Sequence, residues 1–342
     1  MRLIMMGTGP FAAPTFEALY AAGYEVVALV TRPPRNLRGR YKAAESPLPA
    51  IAERHGTPVV APEDVNDAAS RGQLAAWRAD LLVVCDYGQI LSNETLATAR
   101  LGGINLHGSL LPKYRGAAPV HWAIYHGETE TGVTVIHMTP RLDAGPCIGQ
   151  VRTPIGGNET TADVETRLAQ LGAPLVCQCI EQLAAGQVEA IAQDPSQATR
   201  ARRLRKEDGE IDWSRPAKAI ADQIRAFTPW PRSATWFFRS EGEPLRVSID
   251  AAREVRLPGD GSTTKPPGMA SSGTASPGTV LVAEGEELLV QTGDGGLALC
   301  EIQPAGKRRA SAGEFMRGYR VRPGERFARI ETEGERRQET GV

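Results

Sequence analysis

The first half of this chain alternates between two hydrophobic periods, and that alternation restricts its fold more than any other feature. Leu3–Met6, Glu25–Thr31 and Asp80–Cys85 are short apolar, β-branched-rich runs, and the segments near 12–22, 46–55 and 67–77 between them carry helical spacing. Strand–helix alternation implies an α/β, Rossmann-like, mainly parallel sheet covered by helices. Gly103–Leu106 and Val133–Met138 read as further strands. Thr160-x-x-Asp163 has the spacing of a helix start, and Val164, Leu168, Leu171, Leu175 and Cys179 follow at helical intervals. Pro174 is expected to kink this helix and Gly186 to end it.

The pattern changes in the second half. A polar stretch, 189–206, reads as a linker after a first domain of residues 1–188. Ser214 is placed to cap a helix with Pro216 in its first turn, and Ala217, Ile220, Ile224 and Phe227 form its apolar face. After Pro229-Trp230-Pro231 come five short strand signals: Ala234–Phe238, Leu245–Ile249, Thr279–Val282, Glu287–Gln291 and Leu297–Ile302. Closely spaced short strands predict a small OB-like β-barrel domain over 207–330. The Pro/Gly/Ser/Thr-rich stretch 257–278 reads as a flexible insertion between barrel strands, and the charged tail 331–342 is expected to be disordered.

Bulk properties remove several classes of function. At 342 residues the chain is too long for one ordinary core. No apolar run approaches the ~18 residues that span a membrane. The opening Met1–Met6 runs directly into Gly7 and Gly9 and reads as a strand, not a targeting segment. Five cysteines with mostly apolar neighbours argue against a disulfide framework, and no metal-ligand spacing accompanies them; a cytoplasmic, metal-free monomer is expected. The net charge of −1 conceals three basic clusters. They contain Arg32, Arg35, Arg38, Arg40 and Lys42; then Arg205 and Lys206 within Arg-Arg-Leu-Arg-Lys; then Lys307, Arg308 and Arg309 in an Arg-rich run. Each can be a solvated patch or part of a polyanion-binding face.

Gly7-Thr8-Gly9-Pro10-Phe11-Ala12 fits the dinucleotide fingerprint, so a nicotinamide enzyme must be weighed. The acidic residue that should hold the ribose is missing: the second strand runs into Thr31-Arg32-Pro33-Pro34. Pro10 also removes a backbone donor from the phosphate cradle. A tight strand–helix turn is the favoured reading.

Asn105 and His107 lie two apart at a strand end and therefore share a face. If the strand at 133–138 neighbours theirs, Asp143 can reach His107. An amide and an imidazole can donate to a developing oxyanion, and a carboxylate can orient the imidazole or move a proton. This set suits direct acyl transfer to an amine. From spacing alone, a polar strand end and a turn aspartate are the favoured reading.

The block Ile104-Asn105-Leu106-His107-Gly108-Ser109-Leu110-Leu111-Pro112-Lys113-Tyr114-Arg115-Gly116 with Thr131-Gly132-Val133 and Leu142-Asp143-Ala144-Gly145 resembles the 10-formyltetrahydrofolate-dependent formyltransferase family. The resemblance implies that Asn105, His107 and Asp143 are catalytic. It implies folate contacts at Ser109, Leu110, Leu111 and Pro112, and a pterin site along Tyr87, Gly88, Gln89, Ile90 and Leu91. Arg225–Pro231 and Gln303-Pro304-Ala305-Gly306-Lys307-Arg308-Arg309 are similar to the members that formylate aminoacyl-tRNA. They imply methionyl initiator tRNA as partner, with Arg35, Arg38, Arg40, Lys42, Arg205, Lys206, Lys307, Arg308 and Arg309 as candidate contacts. A sugar-nucleotide N-formyltransferase is the alternative within the family, and a non-catalytic RNA-binding protein the alternative outside it. The chain departs from the family pattern at Gly9-Pro10, in the loop at Pro33-Pro34-Arg35-Asn36, and at Asp86, where a small apolar residue is usual. Asp86 can repel or reposition a pterin, or donate to it when protonated.

Overall fold

The computed structural model describes residues 1–33, 46–257 and 275–330. The candidate contacts Arg35, Arg38, Arg40 and Lys42, most of the 257–278 stretch and the 331–342 tail lie outside the described residues. The chain divides into two compact units, one made essentially of residues up to Arg203 and one from Leu204 onward. Ile124–Glu128 and Asn158–Ala162 also belong to the second unit.

In the first unit, β1 (Arg2–Gly7), α1 (Ala13–Ala21), β2 (Glu25–Val30), α2 (Leu48–Arg54), β3 (Val59–Val60), α3 (Ala68–Ala76), β4 (Leu81–Cys85), α4 (Asn93–Leu96) and β5 (Gly103–His107) alternate as the periodicity predicts. Then come β6 (Arg115–Gly116), α5 (Pro119–Tyr125), β7 (Glu130–His137), β8 (Cys147–Pro154), α6 (Thr161–Ala184) and β9 (Arg200–Ala201). The sheet order is β3-β2-β1-β4-β5-β7-β8. It is parallel from β3 to β5, and β7 and β8 join antiparallel. Leu3–Met6 and Leu81–Cys85 are buried on both faces, which places β1 and β4 at the centre. Chain order reverses between those two strands, so a crevice opens beyond their carboxyl ends.

The helix α6 continues through Pro174 to a length of 24 residues, with Val164, Leu168, Leu175 and Val176 buried. Part of the stretch expected as a linker is fastened to the first unit. Cys147 and Ile191 exchange two backbone hydrogen bonds of 2.8 Å, and β9 pairs with β6.

The second unit contains α7 (Ala217–Ala226), β10 (Ser233–Phe238), β11 (Leu245–Val255), β12 (Val280–Glu284), β13 (Glu287–Gln291), β14 (Gly296–Pro304), β15 (Ala310–Ser311), α8 (Ala312–Tyr319) and β16 (Arg326–Ala328). The sheet order is β12-β13-β14-β11-β10-β16. Its edges approach each other through a Thr279–Arg326 bridge, with Val280 N–H donating to Glu325 O at 2.8 Å. Antiparallel strands that curl until their edges meet enclose an apolar interior. Phe237, Ile249, Leu288, Leu299, Phe315 and Phe327 fill it, together with Ile220 and Ile224 of α7. Ser214 does not cap α7. Its hydroxyl donates to Asp212 Oδ1 at 2.6 Å, and the first helical N–H, of Ala217, is satisfied by Asp294 O at 2.9 Å. Among the described residues no helix is long and apolar enough to cross a membrane.

Candidate active site

At the carboxyl edge of the first sheet, β4 and β5 run in register with Val84 beside Asn105. Asn105 is half-buried, and its side-chain amide makes no hydrogen bond among the described residues. His107, two residues on, is buried, with its Nε2 2.9 Å from Tyr114 O. A carbonyl only accepts, so Nε2 carries a proton. The other ring nitrogen, Nδ1, lies 3.7 Å from Asp143 Oδ2.

Asp143 reaches this position from the loop after β7, which pairs with β5, so the condition set by the sequence reading is met. Its backbone is left-handed, φ +48°, a costly conformation for a residue with a Cβ. Its Oδ2 accepts the Gly116 N–H at 2.9 Å. Gly116 sits at φ +127°, and a Cβ there would lie 2.4 Å from Ala201 O, so only glycine lets β6 lie this close to β9. The sequence pointed to the three side chains. It did not show Tyr114 O or Gly116 N–H, because backbone groups leave no residue-type signal.

The expected folate segments line the same edge. Tyr87 and Leu91 are buried in the core, Gln89 is tied to Val65 N–H and Pro62 O, and Gly88 and Ile90 are exposed. Tyr87 and Leu91 therefore anchor a strand end whose intervening backbone faces outward. Of the second loop, Ser109 and Leu111 are buried, while Leu110 and Pro112 are partly open. The Ser109 hydroxyl donates to Lys113 O at 2.7 Å and closes the turn.

Asp86 also stands here, at φ +48°. A Cβ on residue 9 would lie 1.7 Å from Asp86 Oδ2, so Gly9 is what makes room for this carboxylate. The two departures from the family pattern are thus one steric event. Asp86 is exposed as a residue, but protein atoms crowding its carboxyl desolvate it and raise its pKa to about 6. Nearby Glu165 is raised to about 7, by burial first and then by the Asp86 charge. His121 Nδ1, 3.8 Å from Glu165 Oε1, is pushed down to about 4 by burial.

The raised carboxyl fixes the sign of a stability effect. The folded state binds the Asp86 proton more tightly than the unfolded chain does. Its contribution is therefore full below the unfolded value near 3.8 and is lost as pH rises through about 6. Asp86→Asn is expected to raise the melting temperature at pH 8 and to have no such effect below pH ~4. A uniform shift across that range in thermal melts contradicts the assignment.

In the second unit, the basic candidates are not equivalent. Arg308 is paired with Glu314 at 2.7 Å, and Arg309 with Asp250 at 2.9 Å and Glu301 at 3.1 Å. Lys206 and Lys307 are exposed, and neither side chain makes an ion pair among the described residues; Arg205 is likewise exposed. Also among the described residues, no group of three or more His, Cys, Asp or Glu is arranged to hold a metal.

A Rossmann-like unit with an amide–imidazole–carboxylate edge, followed by a small barrel, defines a class. Residues 1–180 match the Formyl transferase family and residues 203–320 match Formyl transferase, C-terminal domain; the chain belongs to this family. Its sequence is 41% identical over 338 residues to the methionyl-tRNA formyltransferase of Rhodopirellula baltica, covering 96% of each chain. It is 41% identical over 326 residues to the methionyl-tRNA formyltransferase of Moorella thermoacetica, covering 95% of this chain and 98% of the relative. The fold is also that of the N-formyltransferase from Helicobacter canadensis solved with folinic acid and dTDP-3-aminofucose. That likeness has a TM-score of 0.63 at 18% identity and covers 88% of this chain and 98% of the other.

Proposed function

We propose that this chain transfers the formyl group of 10-formyltetrahydrofolate to the α-amine of methionyl initiator tRNA. The observation that carries the reading is the 3.7 Å approach of His107 Nδ1 to Asp143 Oδ2 beside an uncommitted Asn105 amide. The near full-length similarity to methionyl-tRNA formyltransferases supports the acceptor. The folinic acid in the Helicobacter canadensis enzyme supports a folate donor.

In this mechanism the acceptor amine attacks the formyl carbon and a tetrahedral oxyanion forms. Asn105 donates its amide N–H to that oxygen, and His107, when Nδ1 is protonated, donates a second bond. The proton lost by the attacking amine passes to the Asp143–His107 pair and then to N10 of tetrahydrofolate as the C–N10 bond breaks. The Tyr114 carbonyl keeps Nε2–H occupied, so the ring cannot turn its reactive nitrogen away. On the donor side, the backbone of Gly88–Ile90 and the loop Ser109–Pro112 are the proposed folate contacts, with Tyr87 and Leu91 as their anchors.

The deciding assay combines purified protein, 10-formyltetrahydrofolate and charged initiator tRNA. Formyl-methionyl-tRNA is the expected product. None at high enzyme, or faster formylation of a dTDP-amino sugar, overturns the acceptor. Of Lys307, Arg308 and Arg309, Lys307 is the proposed phosphate contact, because Arg308 and Arg309 are engaged in ion pairs. Lys307→Ala is expected to raise KM for the charged tRNA and to lower the salt-dependence slope by about one. The variant Arg308→Ala should change that slope less; equal slopes for the two remove the distinction.

A further inference from the structure

We infer that Gln193 is a positioning residue for Asp143, and that it belongs to a clamp closed by Arg115. The inference rests on Asp143 acting in formyl transfer. Gln193 Nε2 donates to Asp143 O at 2.9 Å and to Gly145 O at 2.7 Å. Its Oε1 accepts Arg115 Nε at 3.0 Å and Nη2 at 2.7 Å. The amide has only one orientation that works, because carbonyls only accept and a guanidinium only donates.

The clamp closes on itself through adjacent residues. Arg115 holds Gln193, and the next residue, Gly116, gives its N–H to Asp143 Oδ2 at 2.9 Å. One dipeptide of β6 therefore fixes the Asp143 carboxylate directly and its backbone through Gln193. Gln193 itself is brought within reach by the paired backbone bonds of Ile191 and Cys147, two residues before it. Such a hold offsets the cost of φ +48° at Asp143, a left-handed backbone that a residue with a Cβ adopts less readily than glycine. Without it the loop can relax and carry the carboxylate away from His107. A displacement of ~1 Å at a reacting group costs up to about 100-fold in rate.

Two substitutions separate this role from general support. Gln193→Glu keeps, and strengthens, the bond to Arg115 but turns a carboxylate toward two carbonyls it cannot donate to. Gln193→Leu removes both halves. Both variants are expected to lower kcat about 10- to 100-fold, with KM for folate and for charged tRNA changed less than about threefold. The melting temperature of Gln193→Glu should stay near that of the parent protein. Wild-type kcat in Gln193→Glu, with loss only in Gln193→Leu, would mean that the residue merely braces Arg115, and would overturn the inference. A parallel Asp143→Asn variant distinguishes the two possible failures. Full turnover there removes the catalytic reading itself, whereas lost turnover there with normal Gln193 variants removes only the clamp. Adding Gln193→Glu to Asp143→Asn is expected to lower kcat no further, because the clamp acts through the carboxylate already removed. Multiplied losses instead indicate an independent structural defect and count against the inference.

Discussion

Asp143→Asn is expected to fold with an unchanged melting temperature and to lose about 10²- to 10⁴-fold in turnover, the range of a missing acid–base group. The side-chain oxygen of asparagine still accepts the Gly116 N–H, so the 2.9 Å anchor survives. What disappears is the charge facing His107 Nδ1 at 3.7 Å and the site that takes the amine proton. Because the contact with Gly116 is preserved, KM for either substrate should change little. Steady-state kinetics alongside a thermal melt test this directly. Unchanged turnover excludes Asp143 from the chemistry.

Gly145→Ala is the second large effect, and it acts on the same loop by steric means. A Cβ at residue 145 would lie 1.7 Å from His137 O, a backbone atom of β7 that cannot step aside because His137 is paired with Ile104 of β5. The loop must lift instead. It then loses the 3.0 Å bond from His137 N–H to Pro146 O and the 2.7 Å bond from Gln193 to Gly145 O, and Asp143 moves with it. Overpacking of this kind costs roughly 1–3 kcal/mol. Turnover should fall by about 100-fold. Denaturant midpoints and kcat are the readouts; a variant normal in both would show that the loop is free to move without consequence.

The architecture was largely legible because periodicity is a local property. Each central strand reads as an unbroken apolar run, as at Leu81–Cys85, since both faces are covered. The barrel strands were legible for the complementary reason, short runs separated by turn residues. The strand at Cys147–Pro154 was not. It is an edge strand with alternate residues exposed, and it contains Gly149, whose Cβ would lie 2.7 Å from Cys179 Sγ of α6. That glycine answers to a helix approaching from elsewhere, so its reason is invisible along the chain. Ser214 misled because a helix start looks for any acceptor, and here a barrel loop supplies it through Asp294 O.

By itself, the sequence determined the order of strands and helices and the shift from a covered parallel sheet to a small barrel, and it singled out Asn105, His107 and Asp143 as candidates. The elements depend on residue types and spacings within about ten positions, and the candidates on a motif read along the chain. Only the tertiary structure decided which nitrogen of His107 faces Asp143, why Gly9 accompanies Asp86, and that a residue read as linker, Gln193, is hydrogen-bonded to the Asp143 backbone. The physical reason lies in chain distance. Gln193 is 50 residues from Asp143, Arg115 is 78 from Gln193, and Gly9 meets Asp86 across two sheet strands. Hydrogen-bond partners that far apart are chosen by how the strands are ordered in space, and no local pattern encodes them.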